Sequence, residues 1–401
     1  MNKNVTPRKL YVKGFQFSGI SSGIKKTGDK DLALIYSEVP ATTVGMFTTN
    51  QIKAAPVKLA MKRLSGEKTC QAIIINSGNA NACTGQEGMK NAREMTVKTA
   101  SALAISNDLV NVSSTGVIGE QLPMNKIIRA IPDLVRHLSP MSLDDTANAI
   151  MTTDRFPKII SKKVRIGKRT GTIAGITKGA GMICPNMATM LCYILTDISI
   201  SNKLMKRALK DAVDRSFNRL AVDNDMSTND SVFVMANGML GNDPFTSGSK
   251  EYREFSGTLN DLTYDLAKMI ARDGEGATKL IEVVVKGAKS EIDADRVAKA
   301  ISGSMLVKTA VYGSDPNWGR IVAAIGYSGV NINENNIDIY IGRVKVMSKG
   351  VGTNKEKLAS RALQNEKVVI TVDLCSGNKV VKALSCDLTE KYIAINAEYR
   401  T

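Results

Sequence analysis

Residues Lys178–Asp197 read KGAGMICPNMATMLCYILTD. A small, glycine-bearing and proline-interrupted loop runs here directly into an apolar, strand-like stretch, and Thr189 stands at the junction. A threonine at the head of a buried strand suits a self-processing N-terminal nucleophile. Its Oγ attacks the carbonyl of Ala188, the Ala188–Thr189 bond breaks, and the freed α-amine of Thr189 then acts as general base for its own hydroxyl. Taken alone, the stretch also admits a plain structural reading, because β-propensity by itself places threonines at strand starts.

The rest of the composition favours a nucleophile that needs no histidine. The chain of 401 residues has one histidine, His137, at the end of a helix-like segment NKIIRAIPDLVRHLSP, where an imidazole meets terminal carbonyls. Familiar hydrolytic triads and zinc sites depend on histidine and would all have to pass through that residue. The six cysteines (Cys70, Cys83, Cys184, Cys192, Cys375 and Cys386) are scattered without a C-x-x-C pair, so no metal cluster is expected. Lys and Arg total 54 against 38 Asp and Glu, a net charge of +16 that attracts acidic metabolites, phosphates or anionic surfaces. Aromatics make up only 5% and the basic residues are dispersed, which argues against nucleic acid as a partner. With no long apolar run and no apolar stretch behind the basic start, the expectation is a cytoplasmic protein without a membrane partner.

Strand and helix signals alternate along the chain. Ala72–Asn76, Leu280–Val285, Ile337–Ile341 and Lys367–Leu374 are short and β-branched. Helical periodicity marks the stretch after Thr84, Lys203–Leu220, and a segment from Thr258 whose residues Leu259, Leu262, Leu266, Met269 and Ile270 share one stripe, with Thr258 as N-cap. Hairpin-like strands dominate the last third. The reading is therefore an α+β layered fold with much antiparallel sheet, and two intimately joined units rather than domains on a linker.

Beyond these physical signals, KGAGMICPNMATML resembles the cleavage segment of the ornithine acetyltransferase family, also called bifunctional glutamate N-acetyltransferase. NSGNANACTG (Asn76–Gly85), STGVIGEQLP (Ser114–Pro123), AIMTTD (Ala149–Asp154), DGEGATK (Asp273–Lys279), KTAVYGSDPNWGR (Lys308–Arg320) and INAEYRT (Ile395–Thr401) resemble further blocks of that family in the same order.

The resemblance implies a self-processing, N-terminal-nucleophile-like α/β/β/α sandwich with a packed second unit. Cleavage gives an α chain of residues 1–188 and a β chain of residues 189–401, assembled as an α2β2 heterotetramer. The implied reaction is a ping-pong acetyl transfer in arginine biosynthesis, from N-acetyl-L-ornithine through Thr189 to L-glutamate. Thr115 and Gly116 form the oxyanion hole, although S-T-G alone reads as an ordinary turn. The implied substrate-binding residues are Thr152 or Thr153, Lys178, Thr189, Glu275, Asn396 and Thr401, with Glu275 placed to hold the side-chain amine of ornithine. No metal and no dissociable cofactor are implied, and acetyl-CoA stays open as a second acetyl donor. A self-cleaving aminopeptidase or amidase of related fold, with water as acceptor, is the alternative.

Three residues depart from the family pattern: Ala180 and Cys184 in the cleavage block and Arg155 after the two threonines. Arg155 is expected to add charge near the substrate entrance and Cys184 to confer sensitivity to thiol reagents. Asn76–Gly85 reads either as a turn offering N–H groups to an anion or as scaffold, and the block around Trp318 as support.

Overall fold

The computed structural model describes residues 10–66, 68–184 and 190–398. Elements follow one another as β1 (Phe15–Ile20), β2 (Leu32–Phe47), α1 (Ala55–Arg63), β3 (Lys68–Asn79), α2 (Gly85–Leu103), β4 (Val110–Val117), α3 (Met124–Arg136), α4 (Leu143–Ala149), β5 (Lys158–Ile166), β6 (Arg169–Lys178) and β7 (Leu191–Thr196). Then come α5 (Asn202–Arg215), β8 (Leu220–Ala221), β9 (Ser231–Ala236), α6 (Lys250–Arg272), β10 (Leu280–Ala288), α7 (Glu291–Gly303), α8 (Met305–Tyr312) and α9 (Trp318–Gly326). The chain closes with β11 (Asp338–Ile341), β12 (Val344–Ser348), β13 (Val351–Gly352), α10 (Glu356–Leu363), β14 (Lys367–Asp373), β15 (Lys379–Cys386) and α11 (Glu390–Glu398).

The first sheet runs β4-β3-β2-β9-β7-β6-β5, with β1 added on β2. In a flat sheet the five steps from β4 to β6 would span about 24 Å, at about 4.8 Å per step. Yet Lys178 at the end of β6 reaches Thr115 in β4 across 3.2 Å, so the sheet folds over on itself. The fold comes in the 16-residue β2, whose pairing with β3 breaks register between Tyr36 and Ala41, around Pro40. The inner faces meet in a core where Phe17, Ile35, Ile73 and Ile75 face Ile176, Tyr193, Leu195 and Phe233. Tyr193 and Phe233 stack there at 5.8 Å. Outside one half lie α2 and α3, with Met95, Ile127, Ile131 and Leu134 on Ile74 and Val112. Outside the other lie α5 and α6, with Leu209, Phe255, Leu259 and Leu266 on Ile173 and Ile194. These are the four layers of an α/β/β/α sandwich.

A second sheet, β13-β12-β11-β14-β10-β15-β8, is mixed: β10 pairs parallel with β14 and antiparallel with β15. Helices α7 to α10 cover one of its faces through Val297, Ile301, Val311, Ile325 and Leu363. Its Leu280 and Leu384 join the core of α6, so that helix is shared by both units.

Each strand and helix expected from sequence is present, with two corrections. The helix expected over Lys203–Leu220 stops at Arg215, where Ser216 leaves helical geometry; Phe217–Arg219 form a 3-10 turn and Leu220 enters β8. Helix α6 begins at Lys250, eight residues before Thr258. Ser249 caps it, accepting the Tyr252 N–H at 3.1 Å, because Tyr252 and Phe255 continue the buried stripe backwards by two turns. No described helix is long and apolar enough to cross a membrane.

The boundary at residue 188 does not separate the sheets. Strands β9 and β7, which follow it, lie between β2 and β6, which precede it. The two stretches share one hydrogen-bonded layer.

Candidate active site

Strand β4 ends in Ser114-Thr115-Gly116, and parallel pairing with β3 sets Gly116 beside Gly78. Gly116 has φ +132°, and a Cβ there would run into the backbone of Gly78 and Asn79. Only glycine fits this close approach. The turn is held from both sides: Ser114 Oγ donates to Asn76 Oδ1 at 2.6 Å, and Asn229 Nδ2 donates to the carbonyl oxygens of Ser114 at 2.8 Å and Ala80 at 2.6 Å.

Lys178, the last residue of β6, is 4% exposed and donates to Thr115 Oγ1 at 3.2 Å. Burial pushes its ammonium below the ordinary lysine range, against the opposing pull of Asp154. Asp154 accepts the N–H of Thr152 at 3.0 Å and that of Gly179 at 2.7 Å, tying the threonine loop to the end of β6. Burial raises the Asp154 carboxyl, but the charges of Lys178 and Lys158 outweigh it and bring the pKa to about 2.

Glu275 follows the end of α6, and its N–H donates to the carbonyl of Ala180 at 2.8 Å. Gly181 leaves the space that the Glu275 carboxylate occupies, since a Cβ at Gly181 would collide with it. From α11, Asn396 Nδ2 donates to Glu275 Oε2 at 2.8 Å. A cavity of about 350 Å³ collects these groups: Thr115, Gly116, Thr152, Thr153, Lys178, Glu275 and Asn396 all line it. Both adjacent threonines reach it, so the geometry does not choose between Thr152 and Thr153.

Ala188, Thr189 and Thr401 lie outside the described residues. The described chain on either side of residues 185–189 is held by two carboxyls, the half-buried Asp223 and the buried Asp230. On one side Asp223 accepts the N–H groups of Met182 at 2.6 Å and Ile183 at 2.8 Å. On the other Asp230 accepts the Met190 N–H at 2.9 Å. Burial drives both carboxyls up, Asp230 well above the usual range, despite those hydrogen bonds.

Asp223, Asn229 and Asp230 went unread in the sequence, as did Tyr392, which also lines the cavity. The signal for the first three was the polar run Asp223–Asp230 (DNDMSTND) opening onto the apolar β9, more acidic and amidic than a plain connection needs.

Arg155 is a correction. Its guanidinium is turned to Asp273, with Nε to Oδ1 at 2.9 Å, and it does not line the cavity. The carboxylate takes up the charge. Cys184 is half-buried, and burial followed by the Asp223 charge pushes its thiol up, so thiolate is scarcer than at an ordinary cysteine. Asn76–Gly85 is scaffold in part, for Asn76 to Asn79 belong to β3 and the Asn81 N–H is spent on Asn79 Oδ1 at 2.8 Å. Trp318 opens α9 and donates to Glu356 at 3.1 Å in the second unit, outside the cavity. His137 caps α3, its Nδ1 2.8 Å from the Asp133 carbonyl.

Known proteins resemble this chain along nearly its whole length. The family model described as ArgJ family matches residues 16–401. The arginine biosynthesis bifunctional protein ArgJ of Geobacter sulfurreducens is 48% identical over 98% of this chain and 100% of its own. That of Symbiobacterium thermophilum is 48% identical over 97% of each. The crystal structure of arginine biosynthesis bifunctional protein argJ from Bacillus halodurans is 47% identical, with a TM-score of 0.51, over 52% of this chain and 98% of that one. Matched along nearly its whole length, the chain belongs to the ArgJ family, the family its sequence blocks resemble.

Proposed function

We propose that this chain transfers the acetyl group of N-acetyl-L-ornithine to the α-amine of L-glutamate, with Thr189 as nucleophile. The observation that carries the reading is one cavity in which Thr115, Gly116, Lys178, Glu275 and Asn396 meet from four separate stretches of chain. Those side chains match the substrate: a cation for the α-carboxylate, a carboxylate for the side-chain amine, and donors for an oxyanion.

Autocleavage after Ala188 frees the α-amine of Thr189. In the first half-reaction that amine takes the proton of the Thr189 hydroxyl as Oγ attacks the acetyl carbonyl. Thr115 Oγ1–H and the Gly116 N–H stabilise the tetrahedral oxyanion, the C–N bond breaks, and ornithine leaves with the proton on its amine. Glutamate then enters the vacated site. Its α-amine attacks the acetyl ester, the same donors hold the second oxyanion, and N-acetylglutamate leaves as Thr189 regains its proton. The relatives' shared name, a bifunctional protein, supports a second acetylation of glutamate, for which we take acetyl-CoA as donor.

Two further observations support processing into chains 1–188 and 189–401. The crystal chain of the Bacillus halodurans relative is matched over 98% of itself yet spans 52% of this one, close to the share that residues 189–401 make up. The interleaving of β7 and β9 between β2 and β6 would keep the two chains together after the cut. Pairing of two such units gives the α2β2 particle.

The test is glutamate dependence. Purified protein given N-acetylornithine should release ornithine in multiple turnovers only when glutamate is present, with N-acetylglutamate formed in equal amount. Steady release of acetate without glutamate would contradict the proposal and favour a hydrolase.

A further inference from the structure

Lys158 is the first residue of β5 and its side chain is wholly buried. A buried ammonium is costly unless fully paired, and this one is held by two carboxylates. Its Nζ donates to Asp154 Oδ1 and to Asp273 Oδ2, each at 2.6 Å, and lies 3.4 Å from the Phe156 carbonyl. It does not line the cavity, so it does not meet substrate there.

Each partner governs a different wall of the cavity. Asp154 holds the Thr152 N–H and the Gly179 N–H, and so fixes the threonine loop and the end of β6 that carries Lys178. Asp273 caps α6 two residues before Glu275 and also accepts the backbone N–H of Arg155 at 3.0 Å. The structure assigns to Lys158 the role of positioning residue for substrate recognition: its ammonium clamps the wall bearing Thr152 and Lys178 to the wall bearing Glu275. The clamp sets the distance between the cation that would meet a substrate's α-carboxylate and the carboxylate that would meet its side-chain amine. Without the ammonium, Asp154 and Asp273 lose the buried cation they share; Asp273 keeps only the half-exposed Arg155, and the Glu275 N–H to Ala180 bond is left to hold the two walls.

This assignment rests on the acetyl-transfer reading above. The experiment compares wild type with Lys158→Met, Asp273→Asn and the double variant, measuring KM for N-acetylornithine and for glutamate, kcat, and the melting temperature. KM is the decisive quantity because it does not depend on the fraction of chain that is processed. We expect the folded variants to show KM for N-acetylornithine raised about tenfold or more, the scale on which misplaced binding groups act, and by a larger factor than kcat falls. The double variant removes one charge of each sign and restores much of the thermal stability lost in Lys158→Met, but not KM. Should Lys158→Met fail to fold, Asp273→Asn decides, since it keeps the shape of the group. Folded variants with wild-type KM overturn the assignment, as does a fall in kcat and melting temperature with KM unmoved. An inactive wild type overturns the acetyl-transfer reading instead.

Discussion

The ammonium of Lys178 donates to the hydroxyl oxygen of Thr115 at 3.2 Å, joining the ends of two strands that lie five places apart in the first sheet. The hydrogen bond occupies a lone pair of Oγ1 and leaves the hydroxyl hydrogen to point at an oxyanion. In the proposed mechanism Lys178, which also lines the cavity, would thus prepare the oxyanion donor. Lys178→Met should therefore raise KM and also lower kcat, by about 10²-fold, as loss of an oxyanion donor does. A variant with raised KM and wild-type kcat would show that the contact with Thr115 is incidental.

The same lysine gives a pH prediction. Burial lowers its pKa, so it loses its proton at a lower pH than an ordinary lysine. On the alkaline side, KM for N-acetylornithine should rise before the usual lysine range is reached. That limb should be missing in Lys178→Met, and its persistence there would assign it to another group.

At Gly116 both space and backbone dihedral exclude a side chain. Gly116→Ala pushes β4 away from Gly78 and displaces the proposed amide donor, with an expected loss of about 10²-fold or more in kcat and a lowered melting temperature. Steady-state kinetics with calorimetry checks both, and an alanine variant of wild-type activity would rule out the oxyanion role.

Glu275 distinguishes donor from acceptor. If its carboxylate holds the side-chain amine of ornithine, Glu275→Gln loses a charge-assisted hydrogen bond of about 1.5–3 kcal/mol, or about 10- to 100-fold in binding. The rise in KM should fall on N-acetylornithine and largely spare glutamate. Equal effects on both substrates would mean that Glu275 only shapes the cavity.

Burial holds the Asp230 carboxyl well above the ordinary aspartate range. The folded chain therefore keeps this proton longer than the unfolded chain does, and stability falls as pH rises from the usual carboxylate range towards the folded-state value. Asp230→Asn carries no charge and keeps an acceptor for the Met190 N–H, so its melting temperature at neutral pH should equal or exceed that of wild type. Asp230→Ala leaves that amide buried and unpaired, costing about 1–3 kcal/mol. A destabilised asparagine variant would contradict this account.

Local signals carried much of the architecture. The β-branched runs at Leu280–Val285 and Lys367–Leu374 lie in β10 and β14, and the stripe from Leu259 to Ile270 lies in α6. The parallel pairing of β10 with β14 was not legible, because it joins strands far apart in sequence and no local pattern records it. Nor was the fold-over of the first sheet, which depends on the register break near Pro40. At the site, Gly116 and Glu275, which both line the cavity, came from the family resemblance, for S-T-G alone reads as an ordinary turn. Lys158 was invisible because a lone lysine normally lies on the surface, and only the folded chain shows it buried.

In the proposed mechanism Thr189 is both the cleavage site and the nucleophile. Intact mass spectrometry of wild type and Thr189→Ala, followed by the acetyl-transfer assay on the same samples, tests it most directly. Wild type should divide between Ala188 and Thr189 and be active, and the variant should remain one 43.2 kDa chain without activity. An active wild type that stays whole, or a Thr189→Ala variant that still transfers acetyl groups, would contradict it.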